Sequence, residues 1–106
     1  MEGKVMLKGK RCLVVGCGIS GVGAVTLLDK LNAEIIFFDG NKEMTVEQLQ
    51  EKVPEGTTAV CYTGELPEEL YETVQVVVLS PGVPTDIPMV NRLRDMGASI
   101  IGEIEL

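Results

Sequence analysis

Glycines at positions 16, 18 and 21 stand between an apolar run and the start of a helical pattern. The run, Arg11 to Val15, reads as a short strand covered on both faces, because its core Leu13-Val14-Val15 has no polar interruption. From Ser20 the period changes, and Val22, Val25, Leu28 and Leu31 recur at helical spacing, with Asn32 suited to a left-handed stop. A chain that passes from buried strand to helix through G-x-G-x-x-G has few folds open to it. The spacing predicts the first turn of a parallel α/β sheet.

The rest of the chain repeats that alternation. Residues 33–39, AEIIFFD, predict a second strand. Thr45 and Gln48 have the capping-box spacing, and Val46, Leu49 and Val53 give a second helix its apolar stripe, ended by Pro54 and Gly56. TTAVCY is a weaker third strand, and PEELYE a short acidic helix with Pro67 in its first turn. VQVVVLS, residues 74–80, is the strongest strand. Asp86 can cap a helix from Ile87 to Met96, with Pro88 in its first turn and Gly97 after its end. SIIG is a fifth strand. Strands alternating with helices imply a Rossmann-like, doubly wound parallel five-stranded sheet with helices on both faces, in the order 3-2-1-4-5.

Composition narrows the function. The chain has 106 residues, enough for a single domain. With 45% apolar and only 4% aromatic residues, its core must be mostly aliphatic. The formal net charge is −7 and there is no histidine. Nucleic acid is therefore excluded as a partner, because phosphate neutralisation demands a basic face. Cys12, Cys17 and Cys61 form no C-x-x-C pair, so they read as buried, reduced thiols and not as a zinc site. No run is apolar and long enough to span a membrane, and no signal peptide is expected.

A small anionic ligand remains compatible with an acidic chain, since main-chain N–H groups and a helix dipole can hold it. Gly16 permits the tight turn, Gly18 lets a ligand approach without meeting a Cβ, and Gly21 lets the helix pack closely. The N–H groups of Ile19, Ser20 and Gly21 then face a phosphate. Asp39 ends the second strand 18 residues after Gly21, where a carboxylate can accept from ribose hydroxyls or from the N–H of a base. It can equally be a solvated turn residue before Gly40 and Asn41. SPGVP, beginning at Ser80, follows the strongest strand and should reach the same edge as the glycine loop.

VVGCGISG, then FFDGNK, then VVVLSPGVP, then GEIEL together resemble the N-terminal domain of the Mur ligases, above all the branch that adds D-glutamate. The resemblance covers essentially the whole chain. It implies a single UDP-substrate-binding domain, residues 1–106, of a three-domain cytoplasmic enzyme of peptidoglycan precursor synthesis. Such a domain binds the UDP moiety of UDP-N-acetylmuramoyl-L-alanine. The other ligase domains, in cis, would supply ATP and Mg2+. The family phosphorylates the substrate carboxylate, and the amine of D-glutamate displaces the phosphate to form an amide.

Carried over by position, Gly18, Ile19, Ser20 and Gly21 face the diphosphate. Asp39, Gly40 and Asn41 surround the uracil, and Ser80, Pro81 and Gly82 line the uridine pocket. Many members carry a hydroxyl residue where Gly40 stands and a basic one where Asn41 stands, which leaves Asn41 or Lys42 to substitute. The chain contains no G-x-x-x-x-G-K-[ST] stretch and no metal cluster, so no catalytic residue, metal or cofactor is expected in it, and it should be inactive alone. Glu103 and Glu105 read as the solvated start of a helix. A stand-alone NAD- or FAD-binding regulatory domain, or a dehydrogenase fragment, would share the glycine motif but predicts neither SPGVP nor GEIEL.

Overall fold

Four consecutive residues of the first strand, Cys12 to Val15, are buried, and their side chains alternate between two separate cores. That alternation is why both faces of the sheet must be covered. A computed structural model describes residues 9–16, 18–80, 83 and 87–101. In chain order the elements are β1 (Arg11–Val15), α1 (Ile19–Lys30), β2 (Glu34–Asp39), α2 (Val46–Gln50), β3 (Val60–Thr63), a 3₁₀ turn (Glu68–Glu72), β4 (Val76–Leu79), α3 (Pro88–Asp95) and β5 (Ser99–Ile101). The strands form one sheet in the order β3-β2-β1-β4-β5, and every pairing is parallel. This is the doubly wound order expected from the sequence.

On one face, Cys12, Val14, Ile35, Phe37, Val76 and Val78 pack under Ala24, Val25 and Leu28 of α1 and Leu49 of α2. On the other, Leu13, Val15, Ile36, Phe38, Val77 and Leu79 pack under Leu70 and Tyr71 of the 3₁₀ turn and Val90 and Leu93 of α3. The second layer carries its own surface clamp. The Arg92 guanidinium lies 4.0 Å from the Tyr71 ring centre and forks onto Glu68, with Nη1 donating to Oε2 at 2.9 Å. That pairing holds the Glu68 carboxyl below its usual range.

Local signals placed most element ends. Asn32 adopts φ 62° after α1, and Gly97 adopts φ 101° after α3. The Thr45 side chain accepts from the Gln48 N–H at 3.1 Å, and Gln48 Oε1 accepts from the Thr45 N–H at 2.9 Å, completing the box.

Some expectations need correction. The helix that starts at Thr45 does not continue to Pro54. It ends at Gln50, and the N–H groups of Lys52 and Val53 reach back to Leu49 O and Gln50 O, tightening the chain into a turn. Val53 still packs on the core beside Leu49, but Val46 is 42% exposed and contributes no stripe. Pro67 is the N-cap of the 3₁₀ turn and not part of its first turn. The N-cap of α3 is Ile87, whose side chain makes no cap hydrogen bond. Asp86 itself, like Cys17, Glu103 and Glu105, lies outside the described residues. Cys12 and Cys61 are free and buried, as expected, and burial pushes the Cys12 thiol up to about 11. A thiol so raised stays protonated at neutral pH and is a poor nucleophile.

Candidate functional site

The register brings three chain segments to one edge. Val15 pairs with Phe38 on one side and Leu79 on the other, so the next row across the carboxyl end is Gly16, Asp39 and Ser80. The ladder extends into that row: the Gly16 N–H donates to Phe38 O at 2.8 Å, and the Ser80 N–H donates to Val15 O at 3.1 Å. In a doubly wound sheet this is the edge where the strand order reverses and where ligands bind.

Two of the three motif glycines have a local packing reason. Gly16 sits at φ +101°, and a Cβ there would lie 2.8 Å from Ser80 Oγ and 3.2 Å from Val83 Cγ2. Gly21 is buried in the first turn of α1, and its Cβ would fall 1.9 Å from Gly16 O. The first helical turn therefore rests directly on the strand-to-helix loop. Gly18 differs. It is the N-cap of α1 in an extended conformation, and a Cβ there would meet nothing within 4 Å. Nothing in the described fold requires position 18 to lack a side chain.

The opening turn of α1 faces outward. The Val22 N–H closes the first helical bond onto Gly18 O at 3.0 Å. The N–H groups of Ile19, Ser20 and Gly21 precede that bond and belong to the orphan donors of a helix start. No side chain caps this end, and no acidic residue stands in its first turn. Ile19 is 94% exposed. Beside it an open depression of about 430 Å³ is lined by Gly18, Ile19, Val22 and Lys52. A second, of about 450 Å³, is lined by Met44, Gln48, Glu51 and Lys52.

Asp39 and Asn41 organise the next loop. Asp39 Oδ1 accepts from the Asn41 N–H at 2.9 Å, and Asn41 Oδ1 accepts from the Glu43 N–H at 2.9 Å. These are consecutive Asx turns, and they fix the path of the chain away from β2. Gly40 is exposed between them. Ser80 Oγ donates to Gly16 O at 3.3 Å, tying the end of β4 to the glycine loop.

The structure thus brings Gly18, Ile19, Ser20, Gly21, Asp39, Gly40, Asn41 and Ser80 to one edge of the sheet. Of these, Gly18 and Ile19 line the depression at α1. Pro81 and Gly82 lie outside the described residues, as does GEIEL. Sequence reading missed two features. The Asx turns had a local signal, the Asp-x-Asn-x-Glu spacing. Lys52 had none, because only the fold brings the turn after α2 to the depression that Gly18 also lines. Among the described residues no group of three His, Cys, Asp or Glu could hold a metal ion.

A family model for the Mur ligase MurD-like, N-terminal domain matches residues 10–102. The chain belongs to that family. Among curated Mur ligases, the UDP-N-acetylmuramoylalanine–D-glutamate ligase of Lachnospira eligens is 42% identical over 100 residues, 94% of this chain and 22% of that protein. The enzyme of the same name from Lachnoclostridium phytofermentans is 44% identical over 98 residues, 92% of this chain and 22% of its own length. The chain therefore spans about 22% of these Mur ligases. A shikimate dehydrogenase from Aquifex aeolicus shares the fold, with a TM-score of 0.58 at 22% identity over 90% of this chain and 42% of that one. No helix among the described residues is long and apolar enough to cross a membrane.

Proposed function

We propose that this chain holds the uridine diphosphate end of UDP-N-acetylmuramoyl-L-alanine as the first domain of a three-domain cytoplasmic ligase that adds D-glutamate. The observation that carries the reading is Gly18. It is a glycine that nothing among the described residues requires, placed at the uncapped start of a 12-residue helix beside an open depression. A diphosphate against the main chain there meets the N–H groups of Ile19, Ser20 and Gly21 and the positive end of the helix dipole. This binding suits a chain whose net charge is −7, because it draws on peptide dipoles. Asp39, Gly40 and Asn41 take the uracil side, and Ser80, Pro81 and Gly82 line the uridine pocket.

The chemical step belongs to the remaining domains in cis, which would bind ATP and Mg2+. There the γ-phosphoryl group of ATP would pass to the substrate carboxylate as ADP leaves, which turns a poor leaving oxygen into a good one. The amine of D-glutamate then forms the amide bond as inorganic phosphate leaves. This chain's share is to anchor the far end of the substrate so that the carboxylate is presented in one orientation. No residue of this chain is assigned to catalysis.

The reading is tested by titrating the chain with UDP and, separately, with NADH, following backbone amide shifts. UDP is expected to move Ser20, Asp39 and Ser80. Shifts at those residues with NADH and none with UDP would replace the reading with a dinucleotide-binding domain.

Asp39 allows a sharper test. Asp39→Asn keeps an oxygen that can accept from the Asn41 N–H, so the turn survives while the charge is lost. Thermal unfolding of the variant separates any cost to the fold from the loss of binding. A lost hydrogen bond to a charged group is worth about 1.5–3 kcal/mol, so UDP affinity should fall on the order of tenfold or more. An unchanged dissociation constant would leave Asp39 as a turn residue only.

A further inference from the structure

The depression at the start of α1 is lined from two directions. Gly18, Ile19 and Val22 come from the helix opening, and Lys52 comes from the turn that follows α2. That turn is fixed by the Lys52 N–H donating to Leu49 O at 3.0 Å, while Leu49 is fully buried between α2 and the sheet. The root of the Lys52 side chain is therefore held by the core, although the residue itself is exposed.

The other described cations are engaged or placed elsewhere. Lys10 directly precedes β1 at the amino end of the sheet, where its carbonyl accepts from the Glu34 N–H at 2.8 Å. Arg11 forks onto Glu34, with Nε to Oε1 at 3.1 Å, at the amino end of the sheet. Arg92 is held by Glu68 and Tyr71 on the opposite face. Arg94 donates to Asn91 Oδ1 at 2.8 Å on α3. Lys30 stands in the last turn of α1, a helix length away from Gly18. Lys42 lies in the loop after β2, its Cγ 3.7 Å from where a Gly64 Cβ would be. Among the described residues Lys52 makes no ion pair with a carboxylate, although Glu51 lines the neighbouring depression with it.

We infer that Lys52 is the side-chain cation that contacts the diphosphate at the first turn of α1. The inference rests on the uridine diphosphate reading above and adds to it a point charge next to the main-chain donors. A doubly charged ligand approaching an acidic chain meets unfavourable long-range repulsion, and one ammonium beside the binding N–H groups offsets it where it matters. A lysine suits this place because its flexible stem reaches across the depression while its ammonium stays hydrated until the ligand arrives.

The test compares UDP affinity, by calorimetric titration at low and at physiological salt, for the 106-residue chain and for Lys52→Gln, Lys52→Arg and Lys30→Gln. Lys52→Gln is expected to weaken binding about 5- to 20-fold and to flatten its salt dependence. Lys52→Arg should retain most of the affinity, and Lys30→Gln, which removes the same charge from the far end of α1, should change it less than about twofold. Equal affinity in Lys52→Gln and the parent chain would overturn the inference, as would an equal loss in Lys30→Gln, which would mark a net-charge effect. A parent chain that does not bind UDP would overturn the underlying reading along with it.

Discussion

Gly21→Ala is expected to be the most damaging single methyl group that can be added to this chain. In most helices that change is stabilising, because alanine is better than glycine by about 1 kcal/mol in a helix interior. Here the new Cβ would fall 1.9 Å from Gly16 O, which is backbone and cannot rotate away. Either α1 lifts from the sheet or the strand-to-helix turn shifts. Lifting α1 opens the core that Ala24, Val25 and Leu28 close over β1 and β2. Shifting the turn disturbs the bond from the Gly16 N–H to Phe38 O and the contact with Ser80 Oγ. Overpacking of this kind costs about 1–3 kcal/mol and occasionally more. With a rigid obstacle on one side, about 3 kcal/mol is expected, a fall in Tm on the order of 15 °C for a domain of this size. The control is Gly23→Ala, one position beyond the next residue of the same helix. A Cβ at Gly23 meets nothing within 4 Å, so that variant should gain up to about 1 kcal/mol. Thermal unfolding of the two variants side by side decides the matter. Equal stability for both would mean that α1 is not seated on the Gly16 turn.

The contrast between Gly21 and Gly23 shows where the sequence was legible. The motif spacing picks out 16, 18 and 21 because the constraint is local to one turn, and the turn geometry of this fold is repeated widely. The same holds for the Thr45–Gln48 box, the left-handed Asn32 and the stop at Gly97: each is a contact or a dihedral within a few residues. Strand order was legible for a different reason. Right-handed crossovers between parallel strands leave few ways to alternate five strands with helices. What failed depended on distance. The apolar spacing of Val46, Leu49 and Val53 is satisfied equally by a long helix and by a short helix that tightens into a turn, and only the packed core selects the second. The edge position of Ser80 followed from the strand order, but its bond to Gly16 O across 64 residues and the lining of one depression by both Lys52 and Gly18 have no local trace. The site is therefore half written in its loops and half in the register of the sheet.

Gly18→Val should separate binding from folding more cleanly than any other change at this edge. The residue adopts φ −71° and ψ −171°, an extended conformation open to any side chain. Apart from its chain neighbours, no described residue lies within 4 Å of its Cβ position, so neither backbone strain nor a clash at Cβ is expected from the substitution. The remaining cost is that of an N-cap, where valine ranks below glycine, and amounts to no more than about 1 kcal/mol. Binding is another matter. A diphosphate held by the N–H groups of Ile19, Ser20 and Gly21 must approach the main chain to within hydrogen-bond distance, about 2.7–3.2 Å. A branched side chain at the N-cap occupies that approach. Displacing the ligand by even an ångström removes charge-assisted bonds worth about 1.5–3 kcal/mol each. UDP affinity is therefore expected to fall roughly 10- to 100-fold while Tm moves by no more than a few degrees. Gly18→Ala should lie between the two, since a single methyl blocks less of the approach. Calorimetric titration and thermal unfolding on the same samples give both numbers. A valine variant that binds UDP like the parent chain would place the ligand away from this turn, and with it would go the reason for a glycine that the fold itself does not ask for.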